Sequence, residues 1–139
     1  MKIISKIILL IIILCCFSCE DKGLIVKCAD CLDDEPLEAV LDIKVDSNHS
    51  SIETTINVYE GNAEDSVLYS TLKTINSSAS VRVTLNKKYT VTATYKEQND
   101  FYVAIDSATP RVRFEKSQCD KPCYFIYDKV LDLRLKYTK

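Results

Sequence analysis

The sequence predicts an all-β domain: a single antiparallel β-sandwich of about seven to eight strands, stapled by disulfides. Three observations support this class. Apolar and polar residues alternate with period two through most of the chain. The alternating runs are short and are separated by turns rich in Asn, Asp and Ser. Four cysteines fall in two close pairs, near the start and near the end of the predicted sandwich. No window has a helical period.

The first predicted strand covers residues 37–45, where Leu37, Ala39, Leu41, Ile43 and Val45 occupy alternate positions. Acidic and basic residues lie between most of them, which is the pattern of a half-buried strand. Turn-forming residues follow at 46–49. The next predicted strands are residues 52–60, 67–75 and 79–85.

The second half of the chain continues the pattern. Residues 89–96 place Tyr89, Val91, Ala93 and Tyr95 on one face and threonines on the other. The remaining predicted elements are strands at 101–105 and 112–114, a hairpin at the 119–123 cysteines, and a last strand at 131–137.

The size and strand count of residues 37–137 resemble those of immunoglobulin-like, fibronectin type III-like and transthyretin-like domains. The chain has no Trp, so the Cys, Trp, Cys signature of true immunoglobulin domains is absent. In immunoglobulin-type topology the first and last strands often run parallel. The resemblance then implies that Cys31 and Cys123 both lie just before these strands, and that the two cysteine pairs meet at one end of the sandwich.

Residues 1–18 have the features of an export signal. Lys2 and Lys6 form a positive start, and residues 7–17 are an uncharged apolar run. That run is shorter than the roughly 20 residues that a membrane-spanning helix needs. An ordinary cleaved signal peptide and an uncleaved helix are the alternatives to the interpretation that follows.

The end of this run, residues 14–19, resembles the lipobox of bacterial lipoproteins, because Ser18 directly precedes Cys19. Cys16 and Phe17 depart from the family's pattern, which leaves Cys16 as an alternative acceptor. The resemblance implies a lipidated Cys19, a domain anchored in the outer membrane by this lipid, and a tether over residues 19–36 before the sandwich at 37–139. The acidic residues that follow Cys19 resemble a cell-surface export tag; without such export the domain would face the periplasm.

The cysteines that remain are Cys28, Cys31, Cys119 and Cys123, an even number for an oxidising compartment. Two disulfides are expected, with three possible pairings. Closing a loop of about 90 residues removes roughly 4–5 kcal/mol of unfolded-state entropy, against about 2 for a Cys28–Cys31 bond, which favours bonds between the two pairs. A four-thiolate zinc site and a redox-active Cys28–Cys31 motif are the alternatives.

The sequence predicts no catalytic residue, metal site or cofactor, and hence no enzyme. The chain has one His, His49, in a polar turn. The acidic residues Asp30, Asp33, Asp34 and Glu35 lack the spacing and the central Gly of a calcium loop, so a solvated tether is the simpler interpretation.

A run of large apolar residues at 124–127 is a candidate binding surface beside the predicted disulfides. Tyr124, Phe125 and Tyr127 could bind a sugar or a protein unless the fold covers both faces of the strand that carries them.

Ser66 and Ser107 are candidate modification sites, because each follows an Asp and precedes an aliphatic residue. This resembles the acceptor of a general O-glycosylation system in some anaerobic Gram-negative bacteria.

The charge balance of the chain argues against a nucleic-acid-binding function. The chain has 18 basic and 20 acidic residues, and both basic residues of the leader would be removed with it. A mildly acidic domain offers no electrostatic footprint for nucleic acid. We therefore expect a non-enzymatic lipoprotein of the cell envelope that binds a glycan or a protein. The alternatives are a structural subunit of a surface fibre or envelope complex, joined by strand addition, and a periplasmic inhibitor.

Overall fold

A computed structural model describes residues 26–46, 53–65, 67–97 and 99–136. Within these residues the chain forms nine strands and two single 3-10 turns, at Cys28–Asp30 and Ala63–Asp65. No helix in this part of the chain has the length and apolar character needed to cross a membrane. The strands are β1 (Glu38–Lys44), β2 (Thr54–Glu60), β3 (Leu68–Thr74), β4 (Ser78–Thr84), β5 (Tyr89–Glu97), β6 (Asp100–Ala108), β7 (Arg111–Glu115), β8 (Cys123–Tyr127) and β9 (Val130–Asp132).

The strands form two sheets and a separate hairpin. One sheet has the order β4-β1-β9, the other has the order β3-β2-β5-β6, and β7 pairs with β8. Strands β1 and β9 run parallel, and the other pairs are antiparallel. The predicted all-β antiparallel sandwich is confirmed, and so is the parallel pairing of its first and last strands.

The core lies between the two sheets and follows the predicted alternation. On β5, the side chains of Tyr89, Val91, Ala93 and Tyr95 are at most 2% exposed, and they face Leu41 and Ile43 of the opposite sheet within one cluster. Half-buried Val112 and Ile126 of the hairpin pack against the same cluster. Burial of one apolar face per strand therefore holds the two sheets together.

The observed strands differ from the predicted ones at two places. Strand β6 runs to Ala108, beyond the predicted end at residue 105. The last strand ends at Asp132; Leu133 is fully buried and donates its backbone N–H to the carbonyl of Lys44 in β1 at 2.9 Å, and the residues after it leave the ladder. The predicted positions Ile52 and Tyr137 lie outside the described residues.

Candidate functional site

Two disulfides join the segment before β1 to the hairpin β7–β8. Cys28 bonds Cys119, and Cys31 bonds Cys123, with Cα atoms 5.6 and 5.2 Å apart. Cys31 Sγ also lies 3.8 Å from Cys119 Sγ of the neighbouring bridge. Both bonds join one close cysteine pair to the other, as the loop-closure argument favours. All four sulfurs take part in these two bonds, so Cys28 is not bonded to Cys31.

Backbone hydrogen bonds attach the same segment to the hairpin. Leu32 and Tyr124 exchange two bonds, each 2.9 Å long, in an isolated antiparallel bridge. Val26 is buried against Cys123 and Phe125 in a small second core. Residues 26–32, which the sequence places in a tether, are therefore fixed to the sandwich. Asp33, Asp34 and Glu35 are exposed, as expected of a solvated stretch.

Glu115 fixes the loop that carries Cys119. Its Oε1 accepts hydrogen bonds from the backbone N–H groups of Lys116 and Ser117, at 2.9 and 2.8 Å, and from the Ser117 hydroxyl at 2.8 Å. These donors, with Ser117 first, lower the pKa of the Glu115 carboxyl, because they stabilise its charged form. The Glu115 carboxylate therefore holds the first residues of the hairpin loop in place.

A cleft of about 680 Å³ lies between this stapled hairpin and the edge of the β4-β1-β9 sheet. Three separate parts of the chain line it: the segment 26–32, strands β1 and β4, and strand β8 with the residues that follow it. Its apolar lining consists of Val26, Leu32, Ala39, Val40, Phe125, Ile126 and Tyr127.

Charged side chains of both signs surround the apolar lining. They are Lys27, Asp30, Glu38, Arg82 and Lys129. Arg82 pairs with Glu38 at 3.7 Å, and Lys129 pairs with Asp42 at 3.8 Å. Both are loose, largely exposed ion pairs, which contribute little to stability. These cations can therefore turn to an incoming ligand at low cost, and the cleft offers apolar contact with a mixed-charge rim.

The structure divides the predicted aromatic surface between two faces of β8. Phe125 and Tyr127 line the cleft, whereas Tyr124 lies on the other face, with its ring 4.7 Å from that of half-exposed Phe114. Phe125 is only 7% exposed because Val26 and Cys123 cover it, so it forms the floor of the cleft and is not a free surface ring.

Sequence reasoning missed the part of the cleft that β1 and β4 supply, namely Val40, Glu38 and Arg82. One signal was present. Val40 is an apolar residue in the outward phase of β1 and is 42% exposed, whereas its neighbours Ala39 and Leu41 are buried.

The structure describes only some of the other predicted positions. Ser107 is exposed as the second-to-last residue of β6. Ser66, His49 and Cys19 lie outside the described residues, as do the predicted leader at 1–18 and the first part of the tether. Comparison of the chain with protein families, with curated proteins and with solved structures finds no match.

Proposed function

We propose that this chain is a non-enzymatic binding module, anchored by a lipid on Cys19 in the outer membrane of a bacterial cell and exposed at the cell surface. In this proposal the cleft beside the two disulfides is the binding surface. The lipobox resemblance at residues 14–19 supports the anchor, and the disulfide pattern fits an oxidising compartment.

The observation that carries the binding role is the way the cleft is built. Two of its three walls, segment 26–32 and strand β8, are about 90 residues apart in the chain, and two disulfides fix them to each other. A surface that is ordered before the partner arrives loses less entropy on binding. Sites of this kind combine an apolar floor with a few placed polar groups, as this cleft does.

The position of the cleft limits the kind of partner. Val26 lines the cleft and stands seven residues after Cys19. Seven extended residues span at most about 25 Å, so a lipid on Cys19 would hold the cleft close to the membrane surface. The partner is therefore an envelope component available at that surface: the glycan headgroup of a membrane lipid, or a protein held in the same membrane.

Lipidation is tested by fractionating cells that express Cys19→Ala or Cys16→Ala, the second being the matched control at the alternative acceptor. We expect the wild-type chain and Cys16→Ala to sediment with the membranes and Cys19→Ala to be released. Retention of Cys19→Ala in the membrane would overturn the anchor.

The binding surface is tested with a photo-activated cross-linking residue at position 40 of the full-length chain in intact cells. The control places the same residue at position 68, which is 55% exposed on β3 and outside the cleft. We expect an adduct of defined mass from position 40 only, lost in Arg82→Glu. Equal adducts at both positions, or none at position 40, would contradict the proposal.

A structural subunit is the second candidate, and one observation favours it. Strand β6 is an edge strand with three large apolar side chains in the open, which is the feature that strand addition requires.

A further inference from the structure

The two disulfides lie beside each other but differ in exposure. Cys28, at one end of the first bridge, is exposed, and its partner Cys119 is half-buried. Cys123, at one end of the second bridge, is only 3% exposed and packs in the small second core. Exchange between thiols and disulfides depends on access to the sulfur that is attacked. A thiol in solution can therefore react with the first bridge, at Cys28, more readily than with the second.

One sulfur of the first bridge lies close to the second bridge. Cys31 Sγ is 3.8 Å from Cys119 Sγ, and the sulfurs of Cys31, Cys119 and Cys123 all lie within 4.8 Å of one another. This set of three leaves out Cys28. A disulfide bond is about 2.05 Å long, so the sulfurs of Cys31 and Cys119 would have to approach by less than about 2 Å to form one.

Contacts that do not involve the disulfides hold these sulfurs near each other. Leu32 and Tyr124 exchange two backbone hydrogen bonds, one residue after the cysteines of the second bridge. Val26 donates its N–H to Gln118 Oε1 at 3.3 Å, one residue before a cysteine of the first bridge. Segment 26–32 is thus attached to the hairpin at both of its ends. Opening the first bridge therefore leaves its half-buried sulfur beside the second bridge, where it can act as an internal nucleophile.

We propose that the exposed bridge is an exchange site that takes a small thiol from solution and holds it on Cys28. The thiolate of the small molecule attacks Cys28 Sγ, which forms a mixed disulfide and breaks the bond to Cys119. The Cys119 thiolate then attacks Cys31 Sγ, which forms a Cys31–Cys119 bond and breaks the bond to Cys123. Cys123 leaves as a thiolate and takes up the proton that the small thiol lost. The numbers of disulfides and thiols do not change, so the exchange needs no oxidant or reductant.

The second step protects the captured thiol. Without it, the Cys119 thiolate would stay beside the mixed disulfide on Cys28 and would expel the small thiol again. After it, the free thiol is Cys123, which is buried beside Val26 and Phe125. Attack requires a thiolate, and apolar surroundings disfavour that charge. The reverse reaction is therefore slow, and the adduct on Cys28 persists.

The exchange also leaves the cleft joined. The new Cys31–Cys119 bond still connects segment 26–32 to the hairpin, across a sequence separation of 88 residues. Lys27 and Asp30, which line the cleft, lie on either side of Cys28 in the sequence. Capture of a thiol is an activity beyond the proposed binding role, and it does not rest on the lipid anchor.

The test incubates the full-length chain, purified without a reductant, with reduced glutathione. Free thiols are alkylated with one reagent before the incubation and with a second reagent of different mass after it. A protease that cleaves before Asp then cuts at Asp30 and Asp120, which places the four cysteines on four different peptides without reducing any bond. Mass spectrometry of the unreduced digest identifies the partner of each cysteine.

We expect glutathione on Cys28, a Cys31–Cys119 bond in place of the Cys31–Cys123 bond, and the second alkylating reagent on Cys123. Unchanged bridges would overturn the proposal, and so would glutathione on a different cysteine. An adduct on Cys28 with the second reagent on Cys119 would show that the internal step does not occur. Alkylation of all four cysteines by the second reagent would contradict a persistent adduct.

Two single variants test the internal step without added thiol. Cys28→Ser leaves Cys119 unpaired beside Cys31, so we expect a Cys31–Cys119 bond and a free Cys123. Cys119→Ser is the matched control, because it also opens the first bridge but leaves Cys28, which lies outside the set of three sulfurs. We expect this control to keep the Cys31–Cys123 bond. Retention of that bond in both variants, or its loss in both, would overturn the exchange.

The result is independent of the tests of the proposed function. Neither the Cys19 fractionation nor the cross-link at position 40 depends on which sulfurs are bonded to each other. The thiol exchange and the proposed binding role therefore fail separately.

Discussion

The hydroxyl of Tyr95 donates a hydrogen bond to the carbonyl oxygen of Leu133 across 2.7 Å of the buried core. The same oxygen accepts the backbone N–H of Asp46 at 3.1 Å. Tyr95 belongs to β5 of the larger sheet, whereas Leu133 directly follows β9 and Asp46 lies two residues after β1 of the smaller one. One side chain thus satisfies two backbone groups where the ladders end, and it ties the sheets together at that point.

Tyr95→Phe keeps the ring and removes both bonds. Leaving two backbone groups without partners costs about 1–3 kcal/mol in the free energy of unfolding, which urea denaturation measures. Tyr102→Phe is the matched control, because its side chain is 44% exposed and the change should stay within about 0.5 kcal/mol. Equal effects of the two variants would mean that the Tyr95 hydroxyl does not link the sheets.

Tyr95 also predicts a dependence on alkaline pH. Burial raises the pKa of its hydroxyl, while the Asp46 N–H lowers it by a smaller amount. Above about pH 10 the unfolded tyrosine ionises and the folded one does not, so this contribution to stability is lost as pH rises. The stability difference between wild type and Tyr95→Phe should therefore shrink between pH 8 and about pH 11. A constant difference over this range would contradict the assignment.

The two disulfides are predicted to be non-additive. Each closes a loop of 91 or 92 residues when alone. When the other is present, it closes only a loop of roughly eight residues, worth about 2.5 kcal/mol in the chain-entropy model, so replacing one pair by Ala costs about that much. Replacing both pairs should cost about 7 kcal/mol, more than the sum of the single replacements. Thermal and urea unfolding of the three variants measures this, and strict additivity would show that the bridges act independently.

Glu115 predicts a dependence on acid pH at the hairpin loop. Its lowered pKa means that it stabilises the fold above the ordinary glutamate pKa, near 4.3, and that this contribution is lost as pH falls through the folded value. Glu115→Gln should speed amide exchange at Ser117 at neutral pH, and the difference from wild type should disappear in acid. Glu64→Gln, an exposed change of the same charge, should leave Ser117 unaffected; an equal effect would point to net charge alone.

The sequence predicted the parts of the fold that depend on local pattern. Alternation placed Tyr89, Val91 and Ala93 in the core, and the entropy of loop closure favoured disulfides between the two cysteine pairs without choosing between the two ways of forming them. The cleft was not predicted, because segment 26–32, Val40 and Arg82 meet only through the tertiary fold. The length of β6 was also missed, since Asp106 and Ser107 have turn chemistry locally and are held in the strand by contacts with β5 and β9.

The exposure of the domain on the cell is tested most directly with a C-terminal tag joined to Lys139 through a site for a sequence-specific protease. Intact cells are treated with that protease, and a periplasmic protein carrying the same site and tag serves as the internal control. The account predicts that the tag is lost while the control is kept, because the anchored domain faces outward. Loss of the tag only after the outer membrane is opened would contradict cell-surface exposure and would place the module in the periplasm.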